Sequence, residues 1–215
     1  MGIGCLILGH SGSGKSTSMR NCTPDRFGVI NVQSKPLPFK TDLVPLNTDS
    51  YADVTKALTK GKAKSIVIDD SQYLMSHEFL NRASEGGYQK YSEIGQHFYN
   101  LLETIRTLPD DKIVYLMHHI ERSDDGYEKA KTVGKMVDNY ICVEGCFTIV
   151  LKAIATNQGY FFRTRTSGQD AVKTPLGMFA SEEIDNDLVM VDDTIREFYG
   201  LNNKEESNGN DQKAE

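Results

Sequence analysis

Three things are scarce in this chain, and each shortage narrows its class. No apolar run among the 215 residues approaches the ~20 needed to cross a bilayer. The N-terminal residues pass straight into an apolar strand pattern with no charged leader, so insertion and secretion are not expected and the chain reads as soluble and cytoplasmic. Cysteine is limited to Cys5, Cys22, Cys142 and Cys146, spread through apolar or mixed stretches where a cytosolic chain keeps thiols reduced. Cys142 and Cys146 with His118 and His119 match no standard zinc spacing, so buried thiols are expected there and no structural metal. Positive charge is also in deficit, with 24 Lys and Arg against 30 Asp and Glu and a net charge of −6. That balance argues against coating nucleic acid by bulk electrostatics and leaves room for a local basic groove. A single α/β domain over residues 1–201 suits the length. The polar segment 202–215 has no apolar anchors and is expected to be disordered.

What the chain does have is glycine in a particular place. Residues 6–17, LILGHSGSGKST, run from an apolar strand into glycines and then into a helical stretch. Gly9, Gly14, Lys15 and Ser16 fit G-x-x-x-x-G-K-[ST], the Walker A phosphate loop. Glycines at this spacing let successive backbone N–H groups converge on phosphate oxygens, and the following helix directs its positive end at the same anion. The loop Gly9, His10, Ser11, Gly12, Ser13, Gly14, Lys15, Ser16 and Thr17 is therefore the expected nucleotide cradle. Lys15 is expected to reach the β and γ phosphates, and Ser16 to place its hydroxyl on Mg²⁺.

The pattern along the chain is that of an α/β fold. Gly4 to Gly9 reads as a strand buried on both faces, Lys15 to about Cys22 as a helix closed by Pro24, and Phe27 to Gln33 as a second strand. Pro36 and Pro38 lack the donors of a central strand, so SKPLPFK is expected to be a loop leaving the sheet. Helices are predicted over Asp53 to Lys60 and Ser71 to Ala83. A longer one carries Ile94, Phe98, Leu101, Leu102, Ile105 and Leu108 on one face before Pro109. SIVIDD, 65–70, is the Walker B candidate: its strand is buried and Asp69 emerges at the carboxyl end, placed to hold Mg²⁺ through water. KIVYLMHH, 112–119, is a further buried strand. Residues 121–131 read as a surface hairpin or mobile loop, Val133 to Tyr140 as a short helix, and CFTIVLKAIA with GYFFRTRT as an antiparallel hairpin closed by TNQG. The loop SGQDAVKTPLGMF and an amphipathic helix over Asp187 to Tyr199, stopped by Gly200, complete the pattern. No NKxD-type base reader of a GTPase is present, and TNQG does not serve as one.

The order of GHSGSGKST, VINVQSKPLPF, SIVIDDSQYLM, IVYLMHH, TVGKMVDNYICVEGCFTIVL, KTPLGMF and NDLVMVDDTIREFYG resembles a phage family of compact P-loop ATPases. These proteins have little more than the RecA/Rad51 core and are encoded in recombination modules as single-strand-annealing proteins or recombinases. The resemblance implies an extra strand between the Walker A and Walker B strands. It also implies ATP and Mg²⁺ as cofactors, and ATP-dependent binding and annealing or pairing of single-stranded DNA. The active form would be a homo-oligomer with ATP at subunit interfaces, helped by a phage single-strand-binding protein. RecA-type proteins place a catalytic glutamate at the end of the second strand, where this chain has Gln33 and Ser34, neither of them a base at neutral pH. Either hydrolysis is slow or Asp70 supplies the carboxylate, and Asp70 is the first choice, with a helix N-cap as its plain alternative. His118 or His119 occupies the position of a γ-phosphate sensor, His118 by preference, with one of the pair facing the site and the other away. Lys173 is the expected basic finger reaching a neighbour's γ-phosphate, ahead of Arg163 and Arg165. Phe161, Arg163 and Arg165, with Lys129, Lys131 and Lys135, are the candidates for contact with single-stranded DNA. A small-molecule kinase and an ATP-switched interaction module remain the alternatives.

Overall fold

Seven residues, Ile3–Gly9, form the first strand, β1, buried from Cys5 onward as a strand covered on both faces must be. The computed structural model describes residues 1–201, so the expected polar tail at 202–215 lies outside the described residues. After β1 come β2 (Phe27–Asn31), β3 (Leu46–Asn47), α1 (Tyr51–Lys60), β4 (Ser65–Asp69), α2 (Gln72–Asn81), α3 (Gln89–Thr107), β5 (Ile113–Arg122) and β6 (Glu128–Ala130). The chain continues through α4 (Lys135–Asp138), β7 (Ile149–Thr156), β8 (Gly159–Arg163), β9 (Glu183–Asp185) and α5 (Leu188–Phe198).

The strands share one sheet in the order β3-β2-β4-β5-β1-β7-β8-β9, with β6 paired to β5. Pairing is parallel from β3 through to β7, while β7–β8, β8–β9 and β5–β6 are antiparallel. The strand β5 lies between β1 and β4, in register Leu6↔Leu116 on one side and Ile68↔Leu116 on the other, which is the arrangement the resemblance implies. Side chains alternate across the sheet. On one face Leu6, Leu8, Ile68 and Leu116 pack under Val54 and Leu58 of α1, Leu74 of α2, and Phe98, Leu101 and Ile105 of α3. On the other, Cys5, Ile7, Val67 and Met117 meet Met19 and the Leu188, Val191 and Ile195 face of α5.

Four expectations need correction. The helix after the phosphate loop is only a 3-10 segment, Ser16–Asn21. Ser18 Oγ donates to Lys15 O at 2.6 Å, the kind of hydroxyl back-bond that competes with regular helix, and Pro24 closes the stretch. The second strand stops at Asn31, and the chain turns at Ser34, whose φ is +53°. Cys142 is exposed and Cys146 half-buried, so the buried thiols expected at these two positions are not found, whereas Cys5 and Cys22 are buried. The segment around Lys173 is not a free loop, since Lys173 exchanges both backbone hydrogen bonds with Val150.

Candidate functional site

The phosphate loop leaves β1 at the carboxyl edge of the parallel strands, where ligands of open α/β sheets gather. Gly14 has φ +93°, and a Cβ there would stand 2.6 Å from the Tyr160 ring, so both conformation and space demand glycine. Lys15 is buried, and its Nζ donates to Gly9 O at 2.8 Å and His10 O at 2.9 Å. Burial lowers its pKa to about 8 against the opposing pull of Asp70 and Asp69. Ser16 Oγ donates to Asp69 Oδ1 at 3.0 Å, which joins the two expected metal-holding residues directly. Asp69 ends the buried β4. Burial, reinforced by the adjacent Asp70 charge, raises its pKa to about 6.

Asp70 follows in a left-handed turn, φ +60°. Its Oδ1 lies 3.0 Å from His119 Nε2 and its Oδ2 2.6 Å from Lys35 Nζ. Burial works to raise the Asp70 pKa, but the His119 and Lys35 contacts outweigh it and bring it down to about 2. The side chain of Asp70 is thus engaged by Lys35 and the His119 ring and does not cap α2, the plain alternative for this residue. The hydroxyl of Ser71 is also turned away from the helix, toward Met117 O at 3.2 Å.

One histidine of the pair does face the site, and it is His119. His118 is fully buried, its ring lying 2.9 Å from Ser71 Oγ and 2.8 Å from Lys131 O. The choice of His118 as sensor is corrected on this ground. Side chains alternate along β5, so placing His118 in the core beside Phe98 puts the ring of His119 over Asp70 and edge-on to Tyr73. Gln33, at the usual glutamate position, is engaged with His77 at 3.3 Å.

Sequence reasoning missed two groups. Lys35, passed over as part of a loop leaving the sheet, is brought back to Asp70. Glu128 of β6 reaches His10 of the phosphate loop at 3.4 Å and is ion-paired with Lys152. The only signal for Lys35 was its place two residues after Gln33. For Glu128 there was none, because a polar hairpin does not announce where its tip folds.

The remaining candidates lie further off. Lys173 is exposed and level with Val150, itself paired with Leu6, three residues short of Gly9. Its charge is felt at Cys146, toward the opposite end of the sheet. Arg163 faces Asp170 at 3.9 Å and Glu183 at 3.5 Å, and Arg165 faces Glu182 at 3.8 Å. Lys129 is held by Asp138 at 2.6 Å and Glu121 at 3.1 Å. Phe161 is half-buried on β8.

No protein-family model matches the chain, and no curated protein matches it. Among solved structures it is similar to the Legionella pneumophila ATPase DotB, with 12% identity over 71% of this chain and 41% of that one and a TM-score of 0.36. It is also similar to the pilus retraction motor PilT with bound ADP, with 13% identity over 79% of this chain and 49% of that one and a TM-score of 0.35. The chain spans less than half the length of either protein. The functional reading rests on the site's own residues.

Those residues suit a magnesium-bound polyphosphate. The Ser13 hydroxyl is buried and has no hydrogen-bond partner among the described residues, and an oxyanion in the loop would give it one. Ser16 and Asp69 supply the hard oxygen donors that Mg²⁺ prefers. Lys15 and Lys35 bring two cations to the same edge, and Asp70 is the carboxylate beside them.

Proposed function

We propose that this chain binds ATP with Mg²⁺ in the Gly9–Thr17 loop and hydrolyses it. The observation that carries the reading is the Ser16–Asp69 hydrogen bond, which brings the Walker A hydroxyl and the Walker B carboxylate together across 53 residues of sequence. The loop amides and Lys15 hold the phosphates, with Lys15 exchanging its two carbonyl partners for phosphate oxygens. Ser16 and Asp69 would hold the Mg²⁺. Bound Mg²⁺ would neutralise charge on the transferred phosphoryl group. Asp70, oriented by His119, accepts the proton of the attacking water.

The finer reading is a DNA-recombination ATPase that anneals or pairs single strands as a homo-oligomer with a phage single-strand-binding protein, and its support is the sequence resemblance. The arginines and Lys129 offered for DNA contact are held by carboxylates, so strand binding would have to compete with those pairs. ATP turnover measured with and without single-stranded DNA separates the readings. Turnover in the wild type that is lost in Lys15→Ala, with the fold intact by circular dichroism, supports the ATPase. Stimulation by single strands supports the recombination role, and turnover only with a small acceptor would make the chain a kinase. In Asp70→Asn nucleotide binding should persist while kcat falls by about 10² or more, the scale of a general base. Normal kcat in that variant would place the base elsewhere.

A further inference from the structure

The segment after β2 holds a cation that the mechanism above leaves unused. Asn31 Nδ2 donates to Lys35 O at 2.6 Å, Ser34 N–H donates to Asn31 O at 3.3 Å, and Pro36 follows. The backbone of Lys35 is thereby fixed at the mouth of the site. Its side chain stays 60% exposed and ends on Asp70 Oδ2. Across the sheet the site runs from Lys15 beyond β1, past Asp69 at the end of β4 and Asp70 just after it, to Lys35 beyond β2. A polyphosphate that left the loop toward the two aspartates would bring its last phosphate nearest to Lys35. The Lys35 charge is felt at both Lys15 and Asp69.

We propose that Lys35 reads the terminal phosphate of a bound nucleoside triphosphate, giving up its ion pair with Asp70 for that phosphate; this deepens the nucleotide reading and rests on it. No covalent bond changes in the exchange. The ammonium donors of Lys35 move from Asp70 Oδ2 to a phosphate oxygen, a point-charge contact for which lysine is suited. Asp70 keeps His119 at Oδ1, and its Oδ2 becomes free to accept from water. The triphosphate thereby frees the carboxylate that its own hydrolysis requires, whereas a diphosphate leaves the Lys35–Asp70 pair closed.

The test uses the full chain with Mg²⁺. Titration calorimetry measures ADP and the non-hydrolysed analogue adenylyl imidodiphosphate on the wild type, Lys35→Ala and Lys35→Gln. Because the side chain is mostly solvent-exposed, both variants should fold, which matched melting curves check. Removing one charge-assisted contact should weaken the triphosphate analogue about ten- to a hundredfold and leave ADP within about twofold. An unchanged ratio between the two nucleotides in both variants overturns the proposal while leaving the nucleotide site standing. A wild type that binds neither nucleotide overturns the site and this inference together.

Discussion

Asp69 and Asp70 are neighbours in sequence yet differ in acid strength, because Asp69 is governed by burial and Asp70 by Lys35 and His119. The histidine pair divides in the same way. His118 stands between Ser71 and the Lys131 carbonyl with Phe98 against its ring, and burial lowers its pKa to about 4, aided by His119 and Lys15 and opposed by the Lys131 carbonyl and Asp70. In the unfolded chain a histidine titrates near ~6.5. Between those values the unfolded state takes up a proton that the folded state refuses. The His118 contribution is therefore complete above about pH 6.5 and drains away as pH falls toward 4, at about 1.4 kcal/mol per unit. Denaturant melts from pH 7 to 4 should show this slope in the wild type and a shallower one in His118→Gln. Equal slopes would mean that other groups carry the acid sensitivity.

At the scale of elements, α5 is fastened to the sheet by one carboxylate. Asp192, fully buried, accepts from Ser65 Oγ of β4 at 2.6 Å, Tyr115 Oη of β5 at 2.8 Å, and Arg26 Nε and Arg196 Nε at 2.8 Å each. Asp192→Ala leaves Arg26 with Asp193, and Arg196 with the Asp111 carbonyl and Ser65, but takes the buried acceptor from Ser65, Tyr115 and both guanidiniums and is expected to cost about 3 kcal/mol. Chemical denaturation should show the loss, and nucleotide affinity of the folded fraction should be unchanged, because the cluster lies at the far ends of the strands. Long periodic elements such as α3, and unbroken apolar runs such as β1, β4 and β5, were legible in the sequence because period and burial are local properties. The strands β3 and β9 were not, being two and three residues long and formed only because a neighbour offers an edge. The 3-10 segment was missed for a related reason: hydroxyl back-bonding at Ser18 overrode a pattern that reads as helix. The site was legible as far as its motif reached, through Ser16 and Asp69. Lys35, Glu128 and the choice of His119 over His118 depend on how loops fold back, which spacing does not encode.

For the whole molecule, the register that keeps Lys173 short of its own phosphate loop means that any role at a γ-phosphate needs a second copy of the chain. The resemblance expects such an assembly. Lys15→Ala and Lys173→Ala, each inactive alone, should regain partial ATP turnover when mixed in equal amounts, since some interfaces then pair an intact loop with an intact finger. Full activity of Lys173→Ala by itself, or no recovery despite co-assembly shown by cross-linking, removes Lys173 from the reaction.

The central position of β1 also bears on how the protein is made. Its two partner strands are β5, paired through residues 113–119, and β7, paired through residues 149–152. On the ribosome, the apolar Cys5–Leu8 run therefore waits more than a hundred residues for its first neighbour, on the order of ten seconds at synthesis rates of ~5–20 residues per second. Throughout that interval both of its edges offer unpaired backbone to any other strand. The segment that will carry the phosphate loop is thus the one most exposed to chaperones and to misassociation before the fold closes around it.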